Sequence, residues 1–144
     1  MNKIINIFTD GGARGNPGPA AIGVYIEDEN KKEISSFGKT IGSATNNVAE
    51  YRAVVEALLW ISNNKDLVLG TASLNFYMDS KLVCSQINRI FKIKNDILKN
   101  YLFQIRELEN KIKMPIHYNH IPREKNVNAD RLVNMALDSE FYLP

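Results

Sequence analysis

Lys3-Ile4-Ile5-Asn6-Ile7-Phe8-Thr9-Asp10-Gly11-Gly12-Ala13-Arg14-Gly15-Asn16-Pro17-Gly18-Pro19 carries the first decision about the fold. Residues 3–9 alternate and are rich in isoleucine, which predicts a strand ending at Asp10. Four glycines and two prolines crowd positions 11–19, so a shaped loop is expected there. Residues 20–26 and 33–41 read as strands separated by a polar turn, and three strands so connected make an antiparallel meander. Thr45-Asn46-Asn47 offers capping side chains to a helix running to Ser62. Val54, Leu58 and Ile61 fall at helical spacing there, with Val55 and Leu59 widening the stripe.

Residues 73–78 are a fourth predicted strand, and Asp79-Ser80 opens a short helix to about Ile90. Leu98, Tyr101, Ile105, Leu108 and Ile112 repeat at the spacing of an amphipathic helix. Residues 115–121 read as a fifth strand, and Asn126 as the cap of a last helix with Ala129, Leu132, Val133, Ala136 and Leu137 turned inward. The order β-β-β-α-β-α-α-β-α predicts an α/β fold. Its mixed five-stranded sheet has a three-strand antiparallel meander plus two parallel strands, with helices on both faces. One domain over 1–144 is expected. In such sheets ligands favour the carboxyl ends of the parallel strands.

Composition narrows the class. With 144 residues, 44% hydrophobic and 24% charged, the chain fits a globular domain and neither a disordered tail nor a fibre. Apolar runs such as 57–61 stop far short of the roughly 20 residues of a membrane span. The first residues also lack a signal-peptide core, so no membrane contact and a cytoplasmic location are expected. Cys84 is the only cysteine, which excludes an internal disulfide and a cysteine zinc cluster. Positions 81–113 hold eight basic residues against three acidic ones, a surplus of +5 in a chain of net +2. A basic segment beside an acidic remainder suits a protein that grips a polyanion and holds cations elsewhere. A solvated, lysine-rich helix face accounts for the same charge.

Four carboxylates stand at element ends. Asp10 and Asp79 close the first and fourth predicted strands, and would project from one sheet edge if those strands are parallel neighbours. A turn aspartate and an N-cap are their ordinary structural explanations. Glu50 lies one turn before Val54, along the apolar stripe, where a carboxylate is costly unless paired or metal-bound. A capping box with Asn47 is its structural alternative. Asp130 falls in the first turn of the last helix, where the helix dipole accounts for it. Together, four clustered carboxylates repel unless cations neutralise them, and oxygen ligands with open positions suit Mg²⁺. Two such ions about 3.5–4 Å apart suit phosphodiester displacement on a nucleic acid.

Phe8-Thr9-Asp10-Gly11-Gly12, Gly15-Asn16-Pro17-Gly18, Thr45-Asn46-Asn47-x-x-Glu50, Met78-Asp79-Ser80 and His120-x-Pro122-Arg123-x-x-Asn126-x-x-Ala129-Asp130 together resemble type 1 ribonuclease H. Any one motif is weak, but the ordered set Asp–Glu–Asp–Asp with these flanks is specific and spans nearly the whole chain. The resemblance implies an RNase H-like fold and an endoribonuclease that cuts the RNA strand of RNA–DNA hybrids, leaving 5′-phosphate and 3′-hydroxyl ends. It implies two Mg²⁺ ions, with Mn²⁺ as a substitute, held by Asp10, Glu50, Asp79 and Asp130, and His120 as an auxiliary catalytic residue.

For substrate binding it implies Gly11, Gly12 and Ala13 approaching the minor groove, and Asn16 and Asn47 reaching sugar and base-edge groups. Thr45 and Asn47 would sit in a pocket for a DNA-strand phosphate, with N-capping as the alternative for Asn46 and Asn47. Lys92 and Lys94 lie in a short basic turn where many relatives carry a longer protrusion. Phe91, between them and Ile90, would stack on a DNA sugar or pack in the core. A monomer with no separate hybrid-binding domain is expected. Two rivals stay open: a non-catalytic nucleic-acid-binding module of the same fold, and a nuclease domain related to a reverse transcriptase.

Overall fold

A computed structural model describes residues 3–90 and 92–141. Strands β1 (Lys3–Ala13), β2 (Gly18–Asp28) and β3 (Glu33–Ala44) form the expected antiparallel meander. Strands β4 (Thr71–Met78) and β5 (Ile116–His120) extend it on the other side of β1, giving the order β3-β2-β1-β4-β5. The β1–β4 and β4–β5 pairs are parallel. Helices α1 (Asn46–Asn63), α2 (Lys81–Ile87), α3 (Asp96–Ile112) and α4 (Val127–Phe141) complete the chain. Short 3₁₀ turns at Lys65–Val68 and Arg123–Lys125 follow α1 and β5.

The helix starts follow local chemistry. Thr45 caps α1 by accepting from the Val48 N–H at 3.2 Å, and Ser80 caps α2 by accepting from Val83 at 3.2 Å. Asn95 accepts from both Ile97 and Leu98 at the head of α3. Helix α3 ends at Lys113 in the left-handed conformation.

The sheet has two unequal layers on it. Ile5, Ile7, Ile22, Val24, Leu74 and Phe76 share one face, buried against Val54, Leu58 and Ile61 of α1 and Leu98 and Ile105 of α3. The opposite face meets α4 through a smaller cluster of Ala21, Val133 and Leu137. Helices therefore cover both faces, as the element order predicts. Leu59, expected in the buried stripe of α1, is 41% exposed, on the flank that turns away from the sheet.

The main departure lies in the opening stretch. β1 does not end at Asp10: Gly11, Gly12 and Ala13 continue the ladder opposite Ile22, Ala21 and Ala20. The shaped loop shrinks to positions 14–17. Gly11 and Gly23 serve close packing of the layers. A Cβ on Gly11 would overlap the Ala49 carbonyl group of α1 and lie 2.5 Å from the Glu50 nitrogen. A Cβ on Gly23, opposite Asp10, would overlap the Ala129 carbonyl oxygen of α4. Two helix starts thus rest directly on the strands beside Asp10. Phe91 lies outside the described residues.

Candidate active site

The parallel pairing of β1 with β4 stops at Phe8 opposite Tyr77, so Asp10 and Asp79 each lie two residues beyond the last rung. Alternation puts both on the face that carries α4, because Ile7, Phe76 and Met78 point to the opposite core. Glu50 arrives from just past the first turn of α1, held there by the contact of that helix with Gly11. Asp10, Glu50 and Asp79 each offer a carboxylate oxygen, and these atoms all lie within 4.8 Å of one another. Asp130, in the first turn of α4, stands on the wall of the same cleft of about 430 Å³, its side chain 37% exposed. Gly11, Gly12, Ala13 and Asn46 also line it.

Three carboxylates this close, two of them buried, resist ionisation together. Burial, then the neighbouring Asp79 charge, pushes Asp10 up to about 7, although the Glu50 carboxyl and the Gly11 N–H bond to it. Burial and then Asp10 raise Glu50 well above the usual carboxylate range. Burial raises Asp79 as well, opposed by the Asn126 amide and the Arg123 guanidinium. An all-oxygen set whose charges are unfavourable alone, and which opens on a cleft, fits a hard divalent cation.

A stability prediction follows from the signs. A carboxyl group with a raised folded-state pKa holds its proton longer in the native protein, so stability is greatest below the unfolded pKa and falls as pH rises through the folded one. For Asp10 that window runs from about 4 to about 7. In chelator, the melting temperature should be lower at pH 8 than at pH 5.5, and Mg²⁺ should raise it more at pH 8. A chelated protein equally stable at both values would mean that the three carboxylates do not repel.

Of the other predicted residues, some line a second cavity and some line neither it nor the cleft. Asn16, Thr45 and Asn47 line a second cavity of about 450 Å³ between the starts of α1 and α3, where Asn46 joins them and Asn95 forms the far wall. Besides Thr45, which caps α1, two of these side chains are already engaged. Asn46 Oδ1 accepts from the Ala13 N–H at 2.9 Å, and Asn16 Oδ1 accepts from the Asn46 N–H at 3.0 Å, tying the β1–β2 turn to α1. Asn46 therefore does more than the N-cap alternative allowed, and the cap itself is Thr45. Lys92 and Lys94 are exposed in the connection before α3 and line neither cavity. His120 is exposed at the end of β5, on the side of Tyr118, and is not among the described residues lining the cleft.

Three residues join the site that sequence reasoning did not assign to it. Arg14 and Arg123 line the cleft at opposite flanks, Arg14 paired with Asp138 and Arg123 4.0 Å from Asp130. Asn126, expected only as a helix cap, is fully buried and donates Nδ2 to the Thr9 carbonyl oxygen at 2.9 Å. The available signal for Arg123 and Asn126 was their place in the Pro122-Arg123-x-x-Asn126 motif that precedes Asp130.

The reverse transcriptase-like family model matches residues 8–136. A bifunctional protein of Mycobacterium tuberculosis is 40% identical over 135 residues, covering 92% of this chain and 35% of that protein. The chain thus spans about a third of the length of that relative. A ribonuclease H of Clostridium botulinum is 32% identical over 157 residues, covering 96% of this chain and 97% of its own. The crystal structure of LC11-RNase H1, isolated from compost and solved with an RNA/DNA hybrid, superposes with a TM-score of 0.90 at 41% identity, over 95% of this chain and 99% of that one. No helix among the described residues is long and apolar enough to cross a membrane. A family match over most of the chain, and identity along nearly the full length of a named ribonuclease H, show that this chain belongs to the type 1 ribonuclease H family.

Proposed function

We propose that the chain is an endoribonuclease that hydrolyses the RNA strand of RNA–DNA hybrids, leaving 5′-phosphate and 3′-hydroxyl ends. The observation that carries this reading is the meeting of Asp10, Glu50 and Asp79 within 4.8 Å at the floor of a cleft with Asp130 on its wall. Asp10, central in the group, would be shared between two Mg²⁺ sites, with Asp130 completing one and Glu50 with Asp79 the other. When bound, the ions lower the pKa of the attacking water and neutralise charge on the leaving 3′-oxygen. The chain itself supplies fixed carboxylates and a cleft shaped by backbone. The Gly11–Ala13 edge brings bare main chain to the cleft, which suits reading of 2′-hydroxyls in a minor groove. Arg14 and Arg123 offer positive charge to the phosphates on either side. The second cavity, with Asn47 exposed at its mouth, suits a phosphate of the DNA strand. A monomer in a reducing, cytoplasmic setting completes the reading, consistent with a lone, buried Cys84.

The deciding experiment is cleavage of end-labelled hybrid, RNA duplex, DNA duplex and single strands with Mg²⁺, Mn²⁺ or chelator. Cutting of the hybrid's RNA strand alone, lost in chelator, is expected. A DNA duplex with one embedded ribonucleotide should be cut poorly, because consecutive 2′-hydroxyls are needed. Tight hybrid binding without cleavage under every metal condition would favour the non-catalytic module instead.

Lys92 and Lys94 permit a separate test of grip. Their replacement by alanine should raise KM and flatten its dependence on salt, since exposed lysines on phosphates act through counterion release. The maximal rate should hold, because contacts remote from the cleft bind ground and transition states alike. Kinetics at several salt concentrations on a hybrid of about 20 base pairs decide it. Unchanged KM and salt slope would leave grip to Arg14, Arg123, Lys125 or the loop backbone.

A further inference from the structure

Asn126 stands where the chain leaves the 3₁₀ turn for α4, and nothing of its side chain reaches solvent. A buried amide is costly where its polar atoms go unpaired, and of the two here Nδ2 is bonded while Oδ1 has no partner among the described residues. Its Nδ2 donates to the carbonyl of Thr9, the residue before Asp10, across 117 positions of sequence. The same amide faces the Asp79 carboxylate and favours its charged form. Its own carbonyl accepts from the Asp130 N–H at 3.1 Å, the first backbone rung of α4. One residue therefore touches the β1 segment that carries Asp10, the side chain of Asp79 and the helical turn that carries Asp130.

We infer that Asn126 is a positioning residue that sets the spacing of Asp10, Asp79 and Asp130 for cation binding. This rests on the reading of those carboxylates as metal ligands. The alternative is a purely structural amide that holds α4 to the sheet. The two differ in what they predict for an ion bound without substrate. Groups that orient ligands through hydrogen bonds typically cost 10- to 100-fold in metal affinity when removed. A structural amide costs thermal stability and leaves the affinity of the folded fraction alone.

The experiment measures Mn²⁺ binding to substrate-free protein by electron paramagnetic resonance and calorimetry, well below the melting temperature. Asn126→Leu keeps the volume and removes the bond to Thr9 together with the amide that faces Asp79; Asn126→Ser is the milder change, too short to reach both. Ile61→Ala, in the core at the far end of α1, controls for lost stability alone. Mn²⁺ should bind about 10- to 100-fold more weakly to the Asn126 variants, and as in the wild type to Ile61→Ala. Wild-type affinity in folded Asn126→Ser or Asn126→Leu overturns the inference, as does equal weakening in Ile61→Ala. Failure of the wild type itself to bind Mn²⁺ would instead overturn the metal-site reading beneath it.

Discussion

Asp10→Asn should lower hybrid cleavage by about a thousandfold or more while leaving the protein folded. The change keeps the shape of the side chain and removes a charge that lies within 4.8 Å of both Glu50 and Asp79. Asp10 is 7% exposed and pushed up to about 7, chiefly by burial and then by Asp79, so its ionised form is a strain on the ion-free fold at neutral pH. Asparagine removes that strain. The variant should melt no lower than the wild type in chelator at pH 8, and Mg²⁺ should no longer raise its melting temperature. Single-turnover cleavage and thermal unfolding with and without Mg²⁺ check both halves. Turnover near the wild-type rate would remove Asp10 from the chemistry. Lost activity with a collapsed melting curve would point to a structural role instead.

Glu50 was legible because it interrupts an apolar stripe. Asp10, Asp79 and Asp130 each have an ordinary local explanation, and only their place together at element ends, in the order Asp–Glu–Asp–Asp, marked them. The meander and the two parallel strands were legible from the succession of elements, since parallel neighbours need helical crossovers, while the order β3-β2-β1-β4-β5 comes from the structure. Three further things were not legible. The end of β1 was misplaced because Gly-Gly reads locally as a loop, whereas here the pair stays in the ladder where helix starts press on the sheet. The tie from Asn126 to Thr9 joins residues at opposite ends of the chain, and an asparagine before a helix carries a sufficient local explanation as a cap. The engagement of Asn16 and Asn46 with each other's elements is equally non-local. What the sequence withheld was contact between distant backbones, which has no periodicity to betray it.

Gly11→Ala should then be among the most damaging single changes in the protein, and Gly12→Ala among the mild ones. Neither residue has a positive φ, so conformational freedom does not distinguish them. Room does. A methyl group on Gly11 would overlap the Ala49 carbonyl and crowd the Glu50 nitrogen, and backbone of a packed helix cannot step aside as a side chain can. On Gly12 the same group would meet Val133 Cγ1 at 3.6 Å, an ordinary contact. Overpacking a tight site usually costs about 1–3 kcal/mol and more where backbone must move, so a loss above about 3 kcal/mol is expected at position 11. Position 12 should stay within about 1 kcal/mol, the range of changes without a disruptive mechanism. Where the Gly11 variant folds, α1 must have shifted, and Glu50 with it, so cleavage should fall further than the folded fraction accounts for. Urea unfolding of the two variants, with kcat measured on each, separates the outcomes. Equal tolerance at both positions would mean that α1 does not rest on β1, and that the placement of Glu50 beside Asp10 has some other cause.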